Sequence, residues 1–182
     1  QHLESVTSTH YTADICDAAV DPNNPSHFFA SSFGFGLLEF RNNEFYKQYL
    51  PKNTINGLEA VIEPEEGFTW VDGLVYDTDG NLWMLNKSYN GVKVLLKNGS
   101  WVRISNVATR DRNRTKELLI WNQNPHIKVL SDMRVTPGIG IFNDNGTIAD
   151  ESDDQAVFVS SFTTENGTII QPEYITALCQ TS

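Results

Sequence analysis

Positive charge is scarce in this sequence. Thirteen Lys and Arg stand against 23 Asp and Glu among 182 residues, giving a formal net charge of −10 and a pI near 4.7. Neutralising phosphates takes clustered cations, so nucleic acid is not an expected partner. The one basic cluster, Arg110, Arg112, Arg114 and Lys116, lies between two strand signals and reads as a solvated loop. Cysteine is nearly absent. Cys16 and Cys179 belong to no Cys-x-x-Cys pair and have no His at ligand spacing, which excludes a zinc site. Each falls in an apolar strand pattern and reads as a small buried thiol; a bridge between them would need the chain ends to meet. No apolar run approaches the ~20 residues of a spanning helix. Gln1 follows no hydrophobic stretch, so any targeting signal is expected to lie outside this sequence. Gly-x-Ser-x-Gly, His-Glu-x-x-His and Gly-rich phosphate loops are missing, and His2, His10, His27 and His126 are scattered without a nucleophile. Glu39 with Glu44, or Glu65 with Glu66, reads as exposed carboxylates rather than an acid/base pair, so no enzyme is expected.

What the sequence does have is aromatic and β-branched residues punctuated by Gly, Asn and Asp, the composition of an all-β chain. The clearest unit runs from Trp70 to Ser105. Leu74–Tyr76 and Leu82–Leu85 flank Asp77-Thr78-Asp79-Gly80-Asn81, and Asp-Gly between β-rich runs is a strong hairpin signal. Gly91–Leu96 then turns through Asn98-Gly99 into Trp101–Ile104, which makes a four-strand meander. One sheet of this kind cannot bury both faces and depends on neighbours like itself.

Imperfect copies supply them. The first runs from Asp14–Asp21 through Pro22–Pro25 to His27–Ser31, Gly36–Phe40 and Glu44–Tyr49. A more degenerate copy takes Glu117–Trp121, Ile127–Leu130, Gly138–Phe142 and Ala156–Phe162, and Tyr174–Gln180 resembles the opening strand of another. Gly36, Gly91 and Gly138 recur about 50 residues apart, the spacing of propeller blades. The expectation is one all-β unit over residues 1–182: a partial β-propeller of about three four-stranded antiparallel blades (12–50, 70–106 and 117–164) plus the first strand of a further blade at 174–182. Leu3–Thr9 would be an outer strand of a preceding unit. The long connection Pro51–Thr69 would carry a short strand or turn at Leu58–Ile62 and, at that length, a functional excursion.

The run Asp79-Gly80-Asn81-Leu82-Trp83-Met84 resembles the two-component-regulator propeller repeat, whose hallmark is Asp-x-x-Gly-x-hydrophobic-Trp. Residues 21–40 and 138–155 are similar to the PorZ-type propellers of Bacteroidetes. The resemblance implies a surface or periplasmic protein associated with type IX secretion, or the sensor region of a hybrid two-component regulator acting in signal transduction. The third copy departs from the pattern, with Lys128 at the usual Trp position and Pro125 in place of the turn Gly. Three blades are too few for a closed propeller. The partners expected are therefore remaining blades of the same polypeptide, a second copy completing the ring, and a protein or cell-surface oligosaccharide.

Two sites follow. Asp144, Asn145, Asp150, Asp153 and Asp154 place hard oxygens in one loop, as calcium requires, although a turn whose Asp and Asn side chains bond their own backbone is the competing reading. Asp77 and Asp79 read as a plain hairpin turn, because Gly80 follows too soon for an EF-hand. In a propeller, the loops joining second to third strands share one channel mouth with the loops between blades. That gathers Ser32, Phe33 and Phe35, Lys87, Tyr89 and Asn90, then Arg134 and Thr136, with Trp70 and Tyr174. Aromatics beside amides and cations suit a sugar or a peptide, with packing between blades as the alternative. The triplets at Asn86, Asn98, Asn113, Asn145 and Asn166 match the glycan-acceptor pattern, but hairpin chemistry and the bacterial resemblance argue against glycosylation.

Overall fold

A computed structural model describes residues 14–61, 68–112, 114–133 and 137–180. Three four-stranded antiparallel meanders follow one another. β1 (Asp14–Asp21), β2 (Asn24–Phe33), β3 (Leu37–Arg41) and β4 (Glu44–Tyr49) form the first, and β5 (Val71–Tyr76), β6 (Leu82–Asn86), β7 (Val92–Leu95) and β8 (Trp101–Ile104) the second. β9 (Thr115–Ile120), β10 (Ile127–Asp132), β11 (Gly138–Asn143) and β12 (Gln155–Val159) form the third. The first strands stand side by side, β1 against β5 and β5 against β9, so they line the axis around which the sheets are stacked. This is a partial β-propeller.

Turn chemistry sets the strand boundaries. Asn42 and Asn43 both adopt positive φ, 52° and 62°, as a two-residue hairpin between right-twisted strands requires. In the second sheet the Asp77 carboxylate collects four donors. Oδ1 accepts from the Asp79 and Asn81 amides, and Oδ2 from Asn81 Nδ2 and Trp83 Nε1, both at 2.8 Å. Gly80 completes the turn at φ 86°. The hallmark residues are thus a hydrogen-bonded knot that fixes turn, register and indole together.

Two cores fill the gaps between sheets. Phe29, Leu37 and Tyr49 of the first sheet meet Leu82, Met84 and Leu95 of the second. Trp83, Val92 and Val94 of the second meet Leu118, Leu130 and Phe142 of the third. The connection is tied down rather than loose: Lys93, fully buried, donates to Glu59 Oε2 at 2.9 Å, Arg103 binds Glu59 Oε1 at 2.9 Å, and Asn86 brackets the Glu59 backbone.

Several expectations are corrected. Residues 58–61 form no strand, because Glu59 is held by side chains of the second sheet instead of a ladder. Phe162–Thr163 does not continue β12 but pairs with Ile169–Ile170 in a separate small hairpin. Residues 174–180 carry no strand: their tie to β9 runs through the Gln180 side chain, which donates to Ile120 O and accepts from Asn122 N, without a backbone ladder. Lys128 does not occupy the Trp position. The β9–β10 turn closes from Trp121 N to Ile127 O, two residues longer than the turn from Asp77 N to Asn81 O, so Val129 aligns with Trp83 and Lys128 with Leu82. Glu39 is buried at 1% exposure, bound by His27, Arg41 and Tyr49. Both cysteines are free, and Cys179 is exposed. Leu3–Thr9 and Glu65–Glu66 lie outside the described residues.

Replacing Asp77 by Asn leaves the buried indole N–H and two backbone amides with weakened acceptors, and should cost about 2 kcal/mol in urea unfolding, with Trp83 fluorescence shifting. The Glu59 carboxyl is held down to about 2: burial alone would raise it, but Lys93, with the hydrogen bonds from Ser88 and Asn90, outweighs burial. A depressed carboxylate contributes stability above its unfolded pKa that is lost as pH falls through the folded one. Wild type should therefore weaken from about pH 4.5 toward pH 2 more steeply than Glu59→Gln, which itself costs about 3 kcal/mol at neutral pH by orphaning Lys93.

Candidate functional site

The site is built where the connection returns to the first sheet. Gly36 N donates to Thr69 O at 2.8 Å and Thr69 N to Gly34 O at 3.2 Å, with Phe35 bridging Thr69 in parallel. That latch delivers Phe68 and Trp70 to the β2–β3 loop. The Phe33 ring meets Phe68 edge-on at 4.5 Å and Trp70 at 4.7 Å. The β6–β7 loop contributes Lys87, whose Nζ lies 5.3 Å from the Trp70 ring centre, 3.4 Å from Thr115 Oγ1 and 3.9 Å from Asp72 Oδ2. Asp72 also accepts from Lys116 Nζ at 3.3 Å. Phe33, Trp70 and Lys87 are thus brought together, as the strand order predicts.

The electrostatics are those of a buried cluster behind the Phe33 ring. Burial pushes Lys87 down to about 8 despite the neighbouring Asp72. Burial, then Asp72, push the Cys16 thiol up. The Trp70 Nε1–H is buried; no nitrogen or oxygen acceptor meets it among the described residues, and its interaction is with the Cys16 thiol. The partly exposed Phe33 ring offers a stacking surface at the edge of Phe68 and Trp70, with the Trp70 indole N–H and Lys87 buried behind it. His27 has both ring nitrogens engaged, by Asp21 at 3.1 Å and Glu39 at 2.9 Å.

The remaining predicted residues separate. Asn90 turns to the connection and donates to Glu59 Oε1 at 3.0 Å. Tyr89, 59% exposed, lines a different cavity of about 460 Å³ with Asn56, Glu59 and Arg103. Tyr174 stands exposed in a stretch without regular structure. Arg134 and Thr136 lie outside the described residues. The basic cluster is no uniform solvated loop: Arg112 stacks 3.5 Å over Phe158, Arg110 binds Ser105 O and Lys116 binds Asp72. Sequence reasoning missed Asp72, Thr115 and Lys116, since buried charges on the innermost strands break the apolar pattern.

The acidic loop spends its oxygens locally. Asp144 is buried and paired with Lys128, Asp150 caps a short helical turn at Ser152 N, Asp153 binds Thr147 Oγ1 at 2.9 Å, and Asp154 accepts from Asn106 at 3.2 Å. Asn145 donates to Asp153 O. Among the described residues no group of three or more His, Cys, Asp and Glu could hold a metal ion, and no helix is long and apolar enough to cross a membrane.

The stacked meanders define the class as propeller-like. No family model and no curated protein matches the chain. Among solved structures it is similar to PorZ of Porphyromonas gingivalis, described as an essential bacterial surface component of the type-IX secretion system. The two share 23% identity with a TM-score of 0.74 over 87% of this chain. The match spans only 21% of PorZ, so the likeness is one of fold over about a fifth of that protein.

A lysine whose pKa is lowered on folding favours the folded state as pH rises. Between about pH 8 and its ordinary 10.5 the unfolded chain binds the extra proton, so stability should climb across that window. Lys93, also near 8, contributes similarly. Lys87→Met should remove about half of the climb in urea midpoints measured from pH 8 to 10 while the fold is retained.

Proposed function

We propose that the chain is a non-enzymatic binding and scaffold module of an extracytoplasmic protein, with a role akin to that of the type IX secretion component it resembles in fold. The observation that carries the reading is the channel mouth, where Phe33, Trp70 and Lys87 converge on neighbouring elements. Rigid sheets present loops, and a bound partner shifts the assembly through differential contacts with them. The site's chemistry takes a protein segment or a cell-surface oligosaccharide, since flat apolar rings with a few convergent polar groups characterise such sites. A second reading, ligand sensing within a hybrid two-component regulator, draws on the exposed Tyr89 ring beside the polar 460 Å³ cavity. A glycan-active enzyme such as a propeller-fold polysaccharide lyase is the third.

Tryptophan fluorescence titrations against cell-surface oligosaccharides and extended peptides test the reading. At least one ligand should give a saturable change that Trp70→Ala weakens about tenfold, equivalent to about 1.4 kcal/mol. Tyr89→Ala should leave that binding unchanged; a loss confined to Tyr89→Ala would move the site to the second cavity. Cleavage of any glycan in the panel by the wild-type chain would replace the scaffold reading with an enzymatic one.

A further inference from the structure

The first sheet closes its leading hairpin with a group that titrates, where the second uses one that does not. Trp83 gives its indole N–H to Asp77, and indole is a donor at every physiological pH. Its counterpart in the first sheet is His27, six residues after Asp21 as Trp83 is six after Asp77. The ring is held between two carboxylates, with Nδ1 3.1 Å from Asp21 Oδ2 and Nε2 2.9 Å from Glu39 Oε1. A neutral imidazole donates from one nitrogen only. Both contacts are hydrogen bonds only when the ring is the imidazolium.

The cluster faces the second sheet. His27 stands opposite Arg41 in the β2–β3 ladder, on the same face as the pair Phe29 and Glu39, and these side chains enclose a cavity of about 160 Å³ against Tyr76 and Leu82. The charged and titratable groups around the ring come from every element packed there: Asp21 from β1, Glu39 and Arg41 from β3, Tyr49 from β4, and Tyr76 and the exposed Lys97 from the second sheet. Glu39 also accepts from Arg41 Nε and from the Tyr49 hydroxyl, each at 2.7 Å. With the imidazolium, the two carboxylates in direct contact meet two cations. Without it, a negative charge is left over beside a carboxylate only 1% exposed. Burial, then Asp21 and Glu39, push the Tyr76 phenol up, which marks the negative field across this junction.

We infer that His27 is a proton-operated clasp: protonated, it ties the β1–β2 turn to β3 at the junction with the second sheet, and on losing its proton it releases Asp21. Asp21 is the end that opens, because its side chain is 22% exposed and water can replace the ring, whereas buried Glu39 has no such substitute. The remaining proton therefore stays on Nε2. Closure and protonation favour each other, so the turn is held on the acid side of the histidine transition and freed as pH rises through it. The element that moves is the turn at Pro22 and Asn23, whose Asn23 amide rests on Asp21 Oδ1 at 2.8 Å. The Asp77 knot of the second sheet contains no histidine and stays shut.

Nitrogen-15 NMR of the imidazoles tests the clasp from about pH 5 to 8, the interval in which histidine side chains change charge, with the His27 signals identified by their loss in His27→Gln. His27 should pass from imidazolium to the Nε2–H tautomer. Across the same transition, exchange protection of the hairpin amides around Val20 and Phe28, corrected for intrinsic rates, should fall about tenfold, the scale of one charge-assisted hydrogen bond. Amides around Asp79 and Asn81 should keep their protection. Asp21→Asn retains the acceptor for the Asn23 amide and offers an N–H to a neutral Nδ1, so its hairpin protection should no longer follow pH. Far-UV circular dichroism checks that this variant is folded; if it is not, the wild-type comparison of the two turns still decides. A His27 ring in one charge state throughout, or one that titrates while hairpin protection stays constant, would overturn the inference. So would an unchanged pH dependence in folded Asp21→Asn.

Discussion

The knot centred on Asp77 is the constraint from which the rest of the structure follows. One carboxylate receives two backbone amides, the Asn81 side chain and the Trp83 indole, and so commits the turn, the strand register and the largest core side chain together. Once Trp83 is oriented, it forms the floor on which the third sheet rests, with Phe142 at 6.2 Å and Lys128 at 4.2 Å. The first sheet solves the same problem with different chemistry. Asp21 lies six residues before His27, as Asp77 lies six before Trp83, and their side chains are likewise joined. The third sheet lacks the knot and uses Lys128 with Asp144 instead.

Scarcity of positive charge in the sequence conceals where some of it is placed. Lys87, Lys93 and Lys128 are each at most 2% exposed, and each faces an acid: Asp72, Glu59 or Asp144. A buried ammonium is strongly unfavourable without a partner, and breaking such a pair costs more than forming it contributes. These pairs join elements distant in sequence: Glu59 binds the connection to the second sheet, and Lys116 with Asp72 links the first strands of neighbouring sheets.

The repeat itself was legible because turn chemistry is local. Asp-Gly, Asn-Gly and Asn-Asn announce their hairpins, and Trp83 and Gly80 carry the blade signature. Register at the third sheet was not legible, because the longer turn puts Lys128 one position away from the Trp equivalent, hence on the opposite face, and only the ladder reveals it. The site was half legible. Strand order places Phe33, Trp70 and Lys87 at one mouth, but nothing local to Asn90 shows that it turns to Glu59, 31 positions away. The acidic loop misleads for a related reason: composition counts oxygens but not the donors already assigned to them, such as Lys128 on Asp144.

A preorganised aromatic mouth on a rigid stack is useful only if the stack is rigid, and that rigidity traces to the Trp83 indole held by Asp77. Hydrogen–deuterium exchange of the Trp83 Nε1–H, followed by NMR, therefore tests the central claim most directly. A knot that opens only with the whole fold makes this indole proton exchange as slowly as the β6 backbone amides of the central sheet, with the same dependence on denaturant. Exchange within seconds, or at a rate independent of denaturant while the β6 amides stay protected, would show that the carboxylate does not hold the indole, and the ordering of the sheets around it would need another cause.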